Sequence, residues 1–324
     1  MRPSVSLESP PISIIICTRN RAESLRETLG SILRCAVTEG ESVEIVVVDN
    51  GSRDHTRAVV IELAGHASVA HGRFELRYVV ESALGQARAR NRGMTEARGA
   101  VFLWTDDDVR VPTSWIQEMT RPLLSGEADA VAGEVMIPPH LAGLTRSTPL
   151  ERWLFLVASS CNINFAAPES MVGANMAFAR TVLLHVPNFD VALGPGPESL
   201  GFFDETLFCR RLRDAGLKLV GVPGAGAAVQ HHFDPSRLEP KQLIDSCFRM
   251  GRSEAYCDRA SGHDKQVRHP RLARLIAEMR FAAWRLRAVL LQRPTDARVE
   301  LRMRRAWQVG YLKQACLQRR AQTT

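Results

Sequence analysis

No apolar run in the 324-residue chain approaches the roughly 20 residues that a membrane-spanning helix needs. The first ten residues carry no apolar core segment, so no secretory leader is expected. Cysteine is sparse and scattered, at positions 17, 35, 161, 209, 247, 257 and 316, with no CxxC pair and no metal-finger spacing. Such an odd, dispersed set reads as reduced thiols and excludes a disulfide framework. Internal repeats and low-complexity tracts are missing too. The glycines of GPGPES and GVPGAGAAV do not follow a strand and open a helix, as a dinucleotide fingerprint requires, so both stretches read as loops. What remains is a cytoplasmic globular protein with 45% hydrophobic and 24% charged residues. Its length suits one large α/β domain, or one domain with a substantial appendage.

The net charge of +7 is unevenly placed. Residues 268–324 hold 14 Lys and Arg against 3 Asp and Glu, a local net of +11, and the other 267 residues carry −4. The basic character therefore belongs to the tail, and no nucleic-acid partner is expected. Within the tail, Leu272, Leu275, Ile276, Met279, Ala283, Leu286 and Leu290 form an apolar stripe beneath arginines. With Trp284 and Trp307 beside it, this pattern suits a helix lying on an anionic membrane surface, at the inner face of the cell membrane. Packing against the body of the protein or a second subunit is the competing expectation.

Along the body, β-branched runs alternate with helical periodicity. ISIIICTRN (12–20) and VEIVVVDNGSRD (43–54) are continuous apolar runs that end in polar clusters, as parallel strands buried on both faces do. Leu25, Leu29, Ile32 and Leu33 lie between them at helical spacing, which makes a βαβ unit. A third strand is expected at FELRYVV (74–80), a helix through ALGQARARNRGMTEA, and a fourth strand at AVFLW. DAVAGEVMI and MVGANMAFAR read as further strands, DETLFCRRLRDAG as a helix closed by Gly216, and the chain after His232 as helical. The expected fold class is α/β, with an open, mostly parallel central sheet flanked by helices and a helical C-terminal extension.

The stretch VFLWTDDDVR (101–110) ends a buried strand with three carboxylates side by side. Their repulsion costs stability unless a cation, a proton or hydrogen bonds compensate it. A solvated turn before the helix TSWIQEMT, capped by Thr113, is one outcome. A hard divalent cation is the other, since Mg²⁺ usually takes one or two carboxylates plus water and phosphate. Ligands bind outside the carboxyl ends of open α/β sheets. There Thr18-Arg19-Asn20, Asp49-Asn50-Gly51-Ser52 and Asp106-Asp107-Asp108 converge if the sheet is parallel.

The ordered series SIIICTRNRAESL, VVVDNGSRDHT, GQARARNRG, TDDDVRVP, GANMAFAR and DETLFCRRLRDAG resembles family 2 glycosyltransferases of the GT-A fold, over residues 11 to about 260. HHFDPSRLEPKQLIDSCFRMGRSEA is similar to the segment that follows the core in some bacterial members. The resemblance implies a GT-A catalytic domain over 11–235, with a nucleotide-sugar-binding half (1–110) and an acceptor-side half (111–235), then a basic helical extension (236–324). It implies that Thr18, Arg19, Asn20 and Asp49 hold the nucleotide base, that Arg88, Asn91 and Arg92 lie near ribose and phosphate, and that Asp106 touches ribose. The metal ligand of the DxD motif falls on Asp107 by the spacing to Pro112 and on Asp108 by the triplet itself. His231 or His232 would add a histidine to the metal or diphosphate, and Asn175 would line the donor-sugar and acceptor cleft. The family's usual Glu-Asp base pair appears reversed as Asp204-Glu205. Aligning TLFCRRL puts Glu205 on the base position, with Asp204 as the alternative.

The resemblance thus implies a metal-dependent (Mg²⁺ or Mn²⁺), inverting transfer from a nucleoside-diphosphate sugar, expected to be a UDP-sugar, to a glycan, lipid-linked or small-molecule hydroxyl. Two alternatives stand beside it. A sugar-phosphate nucleotidyltransferase would want a glycine-rich phosphate loop after the first strand, and CTRNRAES has no glycine. A nucleotide-sugar-binding protein with a degenerate site would have lost its acids, which are all present here.

Overall fold

From the first strand to the fourth, strand and helix alternate: β1 (Ile12–Thr18), α1 (Ala22–Ile32), β2 (Val43–Asp49), α2 (Thr56–Val69), β3 (Phe74–Val80), α3 (Gln86–Glu96) and β4 (Val101–Asp106). The computed structural model describes residues 11–38, 42–69, 72–142, 159–160, 162–262 and 295–320, together with 276, 279, 282 and 283. The four strands pair in parallel in the order β3-β2-β1-β4. Every residue of β2 is buried, which the continuous Ile and Val runs permit because helices cover both faces of the sheet. Leu25, Leu29 and Ile32 of α1 close one face over Ile14, Ile16 and Val47. Ala87, Ala89 and Met94 of α3 close the other over Ile15, Val46 and Val48.

The second half runs β5 (Val109–Arg110), α4 (Trp115–Leu124), β6 (Ala130–Gly133), β7 (Val135–Met136), the short α5 (Pro139–Ala142), β8 (Met176–Ala179), α6 (Asp204–Asp214), β9 (Leu219–Val222) and β10 (Val229–His231). β8 pairs antiparallel with both β4 and β6, and β9 runs parallel to β6, giving a seven-stranded, mostly parallel sheet. DAVAGEVMI is two strands, not one. The chain changes sheets at Glu134, and β7 joins β10 and β5 in a separate three-stranded sheet. Thr113 does not cap α4: it lies outside the helix and gives its carbonyl to the Ala36 amide, while Ser114 at the boundary donates its hydroxyl to the Gly226 carbonyl.

Among the described residues, the long helices α7 (Pro240–Ala260) and α8 (Thr295–Arg320) follow. They pack backbone against backbone because Gly251 and Gly310 carry no Cβ; one at Gly251 would collide with the Trp307 carbonyl, and one at Gly310 with that of Phe248. Tyr311 of α8 donates to Asp258 of α7 at 2.9 Å, and Asp258 also binds Arg210 of α6 at 2.9 Å. Of the apolar stripe expected in the tail, Ile276, Met279 and Ala283 are helical and exposed. Leu272, Leu275, Trp284, Leu286 and Leu290 lie outside the described residues. Among the described residues, no helix is long and apolar enough to cross a membrane.

Candidate active site

Parallel register brings the three polar strand ends together: Thr18 stands opposite Asp49, and Cys17 opposite Asp106. The loops that follow β1 and β2 are tied to each other. The Asn20 amide N–H donates to Ser52 Oγ at 2.9 Å, and Asn20 Oδ1 accepts the Arg53 N–H at 2.7 Å. These bonds hold Asn20 at φ 54°, a left-handed conformation that asparagine tolerates better than most residues. Asp49 is buried, and its two oxygens accept from the Ser52 amide and the Tyr78 hydroxyl. An incoming base would share those oxygens or displace Tyr78. Thr18 turns its hydroxyl to Asp107 at 2.8 Å, and Arg19 lines the cleft.

The strand stops at Asp106, and Asp107-Asp108 form a tight turn into β5. The turn sends the three carboxylates in different directions. Asp107 points back at Thr18 and Arg21. Asp108 swings round to meet His231, because β10 pairs with β5 in the register His231 opposite Val109. Asp106, Asp108 and His231 each offer a ligand atom, all within 4.8 Å of one another. Of the two alternatives expected on the metal, Asp108 lies in this group and Asp107 does not, and Asp106, expected at the ribose, lies in it as well. His232 is also outside it; its ring packs 5.3 Å from that of His140, and its amide closes onto the Asp108 carbonyl at 2.7 Å. Two carboxylates and an imidazole on one cleft wall are a donor set that fits a divalent cation.

The repulsion among the three adjacent acids is also met from within the chain, by two arginines that the sequence did not single out for it. Arg21 Nη1 lies 2.8 Å from both Asp107 Oδ1 and Asp108 Oδ2, and Arg237 Nη2 is 3.9 Å from Asp108. Burial alone would raise the Asp108 carboxyl, but the His231 hydrogen bond and charge, with Arg21 and Arg237, hold it well below the usual range. Asp107 is pushed up to about 6, because burial and the Asp108 charge outweigh Arg21. Burial and Asp108 also raise Asp106, against the pull of Arg90.

Across the cleft, α6 begins with Asp204-Glu205, preceded by Phe203 at φ 71°. Asp204 is buried and bonds Arg90 Nη1 at 2.6 Å, whereas Glu205 keeps 24% of its side chain exposed. Burial, then the Asp204 charge, push the Glu205 carboxyl up to about 8, with Arg90 opposing. The loop before α6 is pinned from two sides. Its Pro195 carbonyl accepts the Gln86 amide at 2.7 Å, and Arg249 and Tyr256 of α7 bind Gly196 and Asp190 at 3.3 and 3.0 Å.

The helix α3 turns a different face to the cleft from the one expected. Gln86, Ala89 and Arg90 line it. Arg92 is tied outward to Glu96 at 2.7 Å, Asn91 donates to the Phe189 carbonyl, and Arg88 is exposed. Gly93 carried a usable signal: it marks the side of α3 that presses on Ile15, and Arg90, three residues earlier, shares that side. Asn175 is buried and its amide is spent, donating to the Glu134 and Ala227 carbonyls and accepting from Trp115 Nε1. It braces the wall behind the cleft and has no further donor for a sugar.

The fold is that of the GT-A glycosyltransferases. The mannosyltransferase PcManGT from Pyrobaculum calidifontis, solved with GDP-Man and Mn²⁺, superposes with a TM-score of 0.60 at 18% identity, covering 95% of this chain and 87% of that one. Residues 13–167, just under half of the chain, match the sequence model of Glycosyl transferase family 2. Glycosyltransferase AglE of Haloferax volcanii is 28% identical over 65% of this chain and 64% of its own length. Validoxylamine A glucosyltransferase of Streptomyces hygroscopicus subsp. jinggangensis is 34% identical over 36% of this chain and 26% of its own. The chain thus spans less than two thirds of the length of either relative.

Proposed function

We propose that the protein is a metal-dependent, inverting glycosyltransferase that moves a sugar from a nucleoside-diphosphate sugar to an acceptor hydroxyl. One observation carries this reading: a metal-competent trio, Asp106, Asp108 and His231, and an acid pair with one partly exposed member, Asp204-Glu205, line a single cleft of about 480 Å³ at the carboxyl ends of the strands. The ends of β1 and β2 would receive the nucleotide, with Arg19 beside it. Glu205 takes the proton of the acceptor hydroxyl as its oxygen bonds to the anomeric carbon. The bond from that carbon to the diphosphate breaks on the opposite face, and the nucleoside diphosphate leaves. Mn²⁺ or Mg²⁺ held by the trio would neutralise the diphosphate charge. Arg21 and Arg237 stand where they would bind phosphate oxygens once those carboxylates are shared.

The test is incubation with UDP-, GDP- and dTDP-sugars, with and without Mn²⁺ or Mg²⁺, against glycan, lipid-linked and small-molecule acceptors, reading released nucleoside diphosphate and the product's anomeric configuration. Formation of a nucleoside triphosphate and a sugar 1-phosphate on adding pyrophosphate would mark a nucleotidyltransferase instead, and donor binding without turnover a degenerate site. A peripheral position on an anionic membrane completes the proposal. Ile276 and Met279 are 41% and 64% exposed on one helical face within the segment of net +11. Flotation with liposomes that contain or lack anionic lipid, at low and high salt, tests it; equal recovery in every condition removes it.

A further inference from the structure

Helix α3 carries Arg88, Arg90 and Arg92 within five residues, and of these Arg90 alone is buried. Its guanidinium spans from α3 to the start of α6, with Nη1 2.6 Å from Asp204 Oδ2 and 3.5 Å from Glu205 Oε2. Its Cζ lies 5.4 Å from the centre of the Phe189 ring. Gly173 makes room for it on the other side, where a Cβ would collide with Nη2. Stripping water from a cation at this depth costs several kcal/mol that only paired carboxylates offset.

The two acids share this cation unequally. The short bond goes to Asp204, whose side chain is 2% exposed; the longer contact goes to Glu205, which opens on the cleft. With both acids ionised the trio carries a net charge of −1, and with one proton it is neutral. A buried trio favours neutrality, and the proton resides on the acid with the weaker hold on the cation. Glu205 is that acid.

We propose that Arg90 is a positioning residue for the proton transfer: by binding Asp204 it engages that carboxylate and leaves Glu205 as the member of the pair that takes and releases the proton. The role rests on the reading of this cleft as a glycosyl-transfer site. It assigns Asp204 no contact with the acceptor. Burial and Asp204 raise the Glu205 carboxyl, and Arg90 opposes them, so the cation also keeps Glu205 titratable near neutral pH.

The Glu205 carboxyl can be titrated directly by ¹³C NMR in the full chain, without donor or metal, its signal identified by its loss in Glu205→Gln. Arg90→Gln should move the midpoint up by about one to three units, the range over which a nearby opposite charge shifts a carboxylate. Arg90→Lys should leave it close to wild type, and Asp204→Asn, which frees Arg90 for Glu205, should move it down. The acid limb of kcat should follow the same order with the donor KM unchanged. A strut that merely ties α3 to α6 would lower the Tm of both Arg90 variants and leave the midpoint where it was. That result, or an unmoved midpoint in Asp204→Asn, overturns the proposal. Should Arg90→Gln fail to fold, Arg90→Lys and Asp204→Asn still decide it. Absence of turnover with every nucleotide sugar would defeat the proposed function, while the NMR midpoints would still report on Arg90.

Discussion

Replacing Glu205 with glutamine is expected to slow turnover sharply and, at neutral pH, to make the protein more stable. The Glu205 carboxyl is pushed up from 4.5 to about 8, first by burial and then by the Asp204 charge, with Arg90 opposing. Between those values the folded protein holds a proton that the unfolded chain has released, so stability falls as pH rises. The favourable contribution is complete below the unfolded value of 4.5 and gone once pH passes the folded value of about 8. At about 1.4 kcal/mol per pH unit, ionisation of this group costs on the order of 3 kcal/mol by pH 7. Glutamine is close in shape to the protonated acid and never ionises, so the variant should lack this slope. Urea unfolding at pH 5, 7 and 8.5 should show the two proteins close at pH 5 and the variant ahead at pH 8.5. Its kcat should fall ~10²–10⁴-fold, the usual loss for a general base, with donor affinity unchanged. Parallel pH slopes would refute the raised carboxyl. A kcat loss in Asp204→Asn with none in Glu205→Gln would move the base one residue back.

The metal trio yields a prediction of opposite signs. Asp106→Asn removes a carboxyl that burial and Asp108 raise, and should increase the Tm of the metal-free protein. Asp108→Asn removes one that His231, Arg21 and Arg237 hold ionised against burial, and should lower it. Both should lose Mn²⁺-dependent stabilisation and activity, and a Tm change of the same sign in the two would contradict the charge argument. Arg21→Ala strips the internal cation from Asp107 and Asp108, so it should lower the metal-free Tm and enlarge the Tm gain on adding Mn²⁺; thermal scans with and without the ion measure both. Gly251→Ala forces α7 away from the Trp307 carbonyl and should cost about 1–3 kcal/mol as an overpacking change, read by urea unfolding; no loss would mean that the two helices part without cost.

The parallel half of the sheet was legible because its information is local. A strand buried on both faces reads as an unbroken β-branched run, as β1 and β2 do, and the partly buried edge strand FELRYVV coincides with β3 residue for residue. The same rule concealed Glu44, a buried carboxylate inside β2 that Ser13, Arg77 and Arg98 satisfy. Nothing within VEIVVVD announces partners 31 and 54 residues away. The second half is less legible because short strands take their place from partners distant in sequence: β7 leaves β6 for a sheet whose other members lie at 109–110 and 229–231.

The candidate site divides along a similar line. Motif order brought the right segments to one cleft, because each motif sits at an element end and parallel topology aligns those ends. Which side chain of a motif faces inward is a separate question, fixed by turn geometry and helical phase. The turn at Asp107-Asp108 sets Asp106 beside Asp108 and His231 and points Asp107 at Thr18 and Arg21, and the phase of α3 turns Arg90 to the cleft in place of Arg88 and Arg92. Charge balance carries the argument further than motif matching does. Five buried or half-buried carboxylates face Arg21, Arg90, Arg237 and His231 across this cleft; burial raises Asp106, Asp107 and Glu205 against their cations, while His231, Arg21 and Arg237 hold Asp108 down. A donor diphosphate would bring further negative charge among them. Binding it therefore calls for the cations to turn from carboxylate to phosphate, or for a metal ion to join the carboxylates; Arg21, bridging Asp107 and Asp108, is the side chain with most to exchange.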